Sequence, residues 1–194
     1  FSSRRRHTRL LTVTGVQTCA LPISPLRRRG RAGLSGVLRL GIPVALATFL
    51  LDQLSKWYVW SVLGIATRPR PRVLPFLDLV LVWNPGISFG MLQSDSSLAA
   101  ILLTLFALVV SLGLLVWMKR TRSALLGVGL GLAVGGAFGN AIDRIRWGQV
   151  LDFLYVHLGW FSWWPVFNIA DAAIVAGFFL IVLDGLLVRR RQAI

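Results

Sequence analysis

ALLGVGLGLAVGGAFGNAI, residues Ala124–Ile142, carries Gly127, Gly131, Gly135 and Gly139 at four-residue spacing, with Gly129 and Gly136 beside them. Residues four apart share one face of a helix, so the stretch reads as a helix bearing a smooth glycine groove that lets a neighbour approach closely. It is apolar and close to the roughly twenty residues that cross about 30 Å of hydrocarbon. Three further runs have that character: Leu40–Leu63, Leu98–Met118 and Asn168–Val188. With 194 residues and 56% hydrophobic content, the chain reads as an all-α polytopic membrane protein with four transmembrane helices, not as a soluble domain.

Between the first and second spans lies a Pro-broken stretch, Ala66–Ser97, with β-favouring pieces such as Val73–Val82. Between the third and fourth lies the Trp-rich stretch Asp143–Phe167, and a short basic turn, Lys119–Ser123, joins the second and third. The formal charge is +14, but the cations cluster as topology signals do, without the aromatic-interleaved groove of a nucleic-acid module. No nucleic-acid partner is expected. Arg27, Arg28, Arg29, Arg31, Arg39, Lys119, Arg120, Arg122, Arg189, Arg190 and Arg191 fall on one side of the membrane, against Arg68, Arg70, Arg72, Arg144 and Arg146 on the other. Positive residues face the cytoplasm, so both termini are expected inside and the two longer loops outside.

Trp57, Trp60, Trp83, Trp147, Trp160, Trp163 and Trp164 all fall at the expected outer face, and Trp117 at the inner one. An ordinary interfacial belt and a surface that grips substrate explain this equally well. Residues 1–24, FSSRRRHTRLLTVTGVQTCALPIS, lack a sustained apolar period and resemble translated sequencing-adaptor read-through. They are read as a non-native or disordered prefix. Residues 25–36 then form a basic cytoplasmic segment, 37–190 the membrane domain, and 191–194 a basic tail. Without the prefix arginines the charge is +10, and without Cys19 no thiol remains for disulfides, nucleophiles or metal sites.

There is no Glu, and of the seven aspartates four stand in or beside apolar stretches: Asp52, Asp143, Asp152 and Asp171. An aspartate costs roughly 2.5–3.5 kcal/mol at the centre of a membrane helix on insertion scales, which makes each a functional-site candidate. With four spans, Asp52, Ser55, Lys56, Asn84, Asn140, Asp143, Asp152, Asn168 and Asp171 all fall near one membrane boundary. Asn140 with Asp143, and Asn168 with Asp171, are three apart and share helix faces. Asp52 and Lys56 are four apart, so an ion pair accounts for both, and Asp143 could pair with Arg144 and end its helix. Asp152 and Asp171 have no such cation close in sequence. Facing each other, they would share one proton, and the ionised member could then take a proton from water while the other hydrogen-bonds a scissile carbonyl. This chemistry needs no metal or other cofactor. His157 is the only histidine outside the prefix, too few for a His-based zinc site, and reads as a packing or interfacial group.

DQLSK (Asp52–Lys56), NPGISF (Asn84–Phe89), GGAFGNAIDR (Gly135–Arg144), VLDF (Val150–Phe153) and FNIAD (Phe167–Asp171) resemble, in order, the five signature blocks of lipoprotein signal peptidase, or signal peptidase II. The resemblance spans about residues 37–190. It implies a bacterial inner-membrane aspartyl endopeptidase that removes the signal peptide from diacylglyceryl-modified prolipoproteins, cutting before the lipidated cysteine. It also implies four transmembrane helices with a small extracytoplasmic β-cradle and a short surface helix. The catalytic dyad falls on Asp152 and Asp171. Asp52, Lys56, Asn84, Gly86, Asn140, Asp143, Arg144 and Asn168 shape the site or position substrate. The expected partners are lipid-modified prolipoproteins and membrane phospholipid, with the chain acting as a monomer. Two other classes compete. A small ion-coupled transporter would use the acids as a proton relay, but should carry charges at mid-membrane and an inverted repeat. A membrane scaffold would use the glycine groove and leave Asp152 and Asp171 without a role.

Overall fold

The computed structural model describes residues 36–65, 71–86, 97–157 and 165–192. The expectations for residues 1–24 and for most of the basic segment 25–36 lie outside the described residues, as do Arg68, Arg70, Trp160, Trp163 and Trp164. Four long helices form the membrane body: α1 (Gly36–Trp57), α2 (Ser97–Arg120), α3 (Ala124–Trp147) and α4 (Ile169–Gln192). All four are long and apolar enough to cross a bilayer. α1 continues through a π-helical turn, Tyr58–Val62. Three short strands, β1 (Arg72–Leu74), β2 (Leu77–Asn84) and β3 (Val150–Val156), make an antiparallel sheet in the order β1-β2-β3. Among the described residues there is no separate surface helix.

Two boundaries differ from those read in the sequence. α3 runs five residues past Ile142 and is ended by Gly148, whose left-handed φ of 72° lets its N–H close on the Arg144 carbonyl. Asp143 therefore lies inside the helix and does not end it. α4 extends to Gln192, four residues past Val188.

Glycine explains why α3 is the central helix. Two thirds of its most apolar stretch is buried (67%), against 28% in α1, 17% in α2 and 6% in α4. A Cβ on Gly131 would sit 2.5 Å from the Gly41 carbonyl oxygen, and Cβ atoms on Gly127 and Gly135 would run into Val37 and Ala45. That face belongs to α1. Gly129 and Gly136 lie on another face, where a Cβ would meet the carbonyls of Gly177 and Ala170 in α4. The single groove read in the sequence is thus two grooves, one for each neighbouring helix.

Two apolar clusters flank a polar layer. Val37, Leu38, Met118, Leu126 and Leu130 pack at the end of the bundle away from the sheet. Val59, Ile65, Leu79 and Phe153 pack between the π turn and the sheet. The β2–β3 pairing slips between Leu79↔Leu154 and Val82↔Asp152, so β2 carries one extra residue there. Such bulges re-aim side chains. Past this one, Asp152, Val82, Asn84 and Val150 share a sheet face, while Trp83 and Leu151 take the other.

Candidate active site

The polar layer begins with a buried ion triad. Lys56 Nζ lies 2.8 Å from Asp52 Oδ2 and 2.7 Å from Asp143 Oδ2, and all three side chains are essentially without solvent contact. The expected Asp52–Lys56 pair is present. Asp143, however, pairs with Lys56 on α1 and not with its neighbour Arg144. Removing one member of such a buried group leaves an uncompensated charge, at a cost of about 3–5 kcal/mol. Gln53, which the sequence reading passed over, donates from Nε2 to Asp143 Oδ1 at 2.9 Å and to Asp52 Oδ2 at 3.1 Å. Its signal was an amide next to Asp52 in an apolar run, one turn from Lys56.

Asp52 also organises α4. Its Oδ1 accepts the Ala170 backbone N–H at 2.9 Å, one of the donors that a helix start leaves without an internal partner. A Cβ on Gly139 would lie 2.5 Å from Asp52 Oδ2, so glycine there makes room for the carboxylate. Asn168 and Asp171 cap the same helix reciprocally. The Asp171 N–H donates to Asn168 Oδ1 at 2.9 Å, and the Asn168 N–H donates to Asp171 Oδ2 at 3.2 Å. This is a capping box with aspartate at its third helical position.

Amides connect the triad to the two remaining acids. Lys56 donates to Asn140 Oδ1 at 3.3 Å, and Asn140 Nδ2 donates to Asp171 Oδ1 at 2.8 Å. Asn168 Nδ2 donates to Asp152 Oδ1 at 2.7 Å, while Asn84 Nδ2 donates to Asp152 Oδ2 at 3.0 Å. Asn168 therefore bonds both carboxylates, one through its backbone and one through its side chain. The Gly86 N–H donates to Asn84 Oδ1, and the Gly86 carbonyl accepts from Arg144 Nη2 at 2.6 Å. Every residue expected at the site on sequence grounds is in this one network.

Asp152 is buried, and its pKa is pushed up from 3.8 to about 7 by that burial and by the nearby Asp171 charge. The hydrogen bonds from Asn84 and Asn168 and the Lys56 charge pull the other way. Both acids, with Asn84, Asn140 and Arg144, line one end of a cavity of about 420 Å³. Its remaining walls are apolar side chains of α2, α3 and α4, including Phe106, Val110 and Val175. Phe106 and Val175 are exposed on the surface that faces lipid. His157 stands at the far end of the β2–β3 pair, with Nε2 3.1 Å from Asp78 Oδ2, as a packing group of the sheet.

A family model described as signal peptidase (SPase) II matches residues 44–187. The chain belongs to the signal peptidase II family. The lipoprotein signal peptidase of Methylorubrum extorquens (strain PA1) is 50% identical over 149 residues, covering 76% of this chain and 86% of that one. That of Nitrobacter hamburgensis is 48% identical over 154 residues, covering 77% and 93%. A bacterial membrane enzyme solved by the in meso method at 2.3 Å resolution superposes with a TM-score of 0.66 at 26% identity, covering 75% of this chain and 87% of that one. Signal peptidase II is a multi-pass membrane protease that processes lipoproteins, which sets aside the transporter and scaffold readings. The four helices and small sheet expected from the resemblance are the observed fold.

Proposed function

We propose that the chain is an intramembrane aspartyl endopeptidase in which Asp152 and Asp171 activate water to cut a diacylglyceryl-modified prolipoprotein just before its lipidated cysteine. The observation that carries the reading is Asn168 reaching both carboxylates, which line an otherwise apolar cavity walled in part by lipid-exposed side chains. A segment that is itself apolar and lipid-anchored can enter from the membrane and present its scissile bond to the acids.

With Asp171 ionised and Asp152 protonated, water attacks the carbonyl carbon and gives a proton to Asp171. Asp152 donates its proton to the carbonyl oxygen, forming a neutral tetrahedral diol. Asp171 then protonates the departing amine nitrogen as the C–N bond breaks, and Asp152 recovers the proton from a diol hydroxyl. The dyad returns to its starting state. An Asp152 pKa near 7 suits an acid that must hold and release a proton at neutral pH. The distribution of basic residues supports cytoplasmic termini and a site at the outer face. We assign the working unit as a monomer embedded in phospholipid, because a single chain suffices to bring Asn168 to both acids.

The test uses purified Asp152→Asn and Asp171→Asn proteins with a lipidated prolipoprotein peptide and its unlipidated twin. Neither variant should cleave, and the native enzyme should prefer the lipidated peptide. Substantial cleavage by either variant would falsify the dyad.

A further inference from the structure

Trp60, Trp83 and Trp147 come from three different elements and meet as a three-way edge-to-face cluster. The ring centroids are 5.7 Å apart for Trp60–Trp83 and 5.5 Å for each of the other pairs, with interplanar angles of 89°, 87° and 69°. Such T-shaped pairs are favoured beyond their buried area. The Arg146 guanidinium lies over Trp147 at 4.6 Å from the ring centre. An interfacial belt needs only rings at the headgroup level, each independent of the others. It does not explain three rings locked to one another.

The positions of the three residues suggest another role. Trp60 lies in the π-helical turn, the one departure from α-helical winding in α1, and such turns often mark functional sites. Trp147 is the last residue of α3, immediately before the Gly148 turn into β3. Trp83 is opposite Leu151 in the sheet, and its next residue, Asn84, ends β2. Asn84 holds one oxygen of Asp152, and Gly86 just beyond it is held by Arg144. The end of β2 is thus fixed on one face by tryptophans and offers the Asn84 amide to Asp152 on the other.

We propose that Trp60, Trp83 and Trp147 are positioning residues that clamp the end of β2 so that Asn84 keeps hold of the Asp152 carboxyl group. The inference rests on the dyad reading given above. None of the three rings touches the reacting atoms, and their effect on catalysis passes through Asn84.

A mutant cycle tests it, with kcat, KM and the pH profile measured on the lipidated peptide in detergent micelles. Asn84→Ala removes a donor that favours the ionised carboxyl group, so the alkaline limb of the profile should move to higher pH. Trp83→Leu should lower kcat by about tenfold, leave KM within about twofold and move the same limb in the same direction. In the Asn84→Ala background, Trp83→Leu should then have no further effect, because the route it acts through is already gone. Trp83→Phe should restore most of the rate. If Trp83→Leu does not fold, Trp147→Phe and Trp60→Phe carry the same comparison, with smaller losses that also vanish beside Asn84→Ala. Multiplicative losses in the double variants, or an unmoved pH profile, would overturn the clamp. Cleavage by Asp152→Asn would instead remove the dyad reading beneath it, so the two failures are distinguishable.

Discussion

Asp152→Asn should uncouple stability from pH as well as stop cleavage. In the folded protein Asp152 holds its proton up to about pH 7, whereas an unfolded aspartate releases it near 3.8. Between those values the folded state binds more protons than the unfolded one, so stability falls as pH rises. From pH 5 to pH 7 the slope is close to 1.4 kcal/mol per unit at first and halves as the folded group ionises, so about 2 kcal/mol is removed from the native enzyme. Asparagine has no charge to gain, so the variant lacks this slope. It carries a fixed penalty instead, because both Asp152 oxygens accept from amide nitrogens and an asparagine amide can satisfy only one of them. An unsatisfied buried donor costs about 1–3 kcal/mol. The variant should therefore be less stable than native at pH 5 and level or better at pH 8. Thermal unfolding in one detergent at both pH values reads the crossover. Parallel curves for native and variant would show that Asp152 carries no raised pKa, and the proton-sharing mechanism would lose its basis.

Asn168 can be tested for its two separate duties. Asn168→Ser keeps a side chain able to cap α4 but loses the Nδ2 donor to Asp152, so melting temperature should fall less than in Asn168→Ala. Activity should nevertheless drop roughly 3- to 10-fold in both, the worth of a hydrogen bond to a protonated carboxyl group. A second contrast concerns glycine. Gly131→Ala forces a Cβ against the Gly41 backbone oxygen and should destabilise by about 1–3 kcal/mol. Gly113→Ala in α2 meets nothing within 4 Å and should be neutral or stabilising by up to about 1 kcal/mol, by helix propensity alone. Parallel thermal melts decide both.

Much of the site was legible because membrane burial makes charge conspicuous. Asp52, Lys56, Asp143, Asp152 and Asp171 stand out from apolar neighbours, and four spans bring them to one depth. The Asp52–Lys56 pair follows from helical spacing. Asp143 was misassigned because Arg144 is its neighbour in sequence, whereas adjacent helix residues point in different directions and Lys56 faces it from α1. The end of α3 was placed too early because hydropathy falls at Asp143, while the backbone stops only where Gly148 allows a left-handed turn. Gln53 lay hidden beside a more visible acid. The slip in the β2–β3 register could not be read from local pattern, since it depends on which residues of two distant strands face each other.

The start of α4 is built from members of the proposed catalytic network. Asp52 binds the Ala170 N–H, and Asp171 closes the cap with Asn168. A nascent chain still missing its last crossing has neither the second acid nor the amide that orients the first. On the proposed dyad mechanism, proteolytic competence arrives only with insertion of the fourth helix.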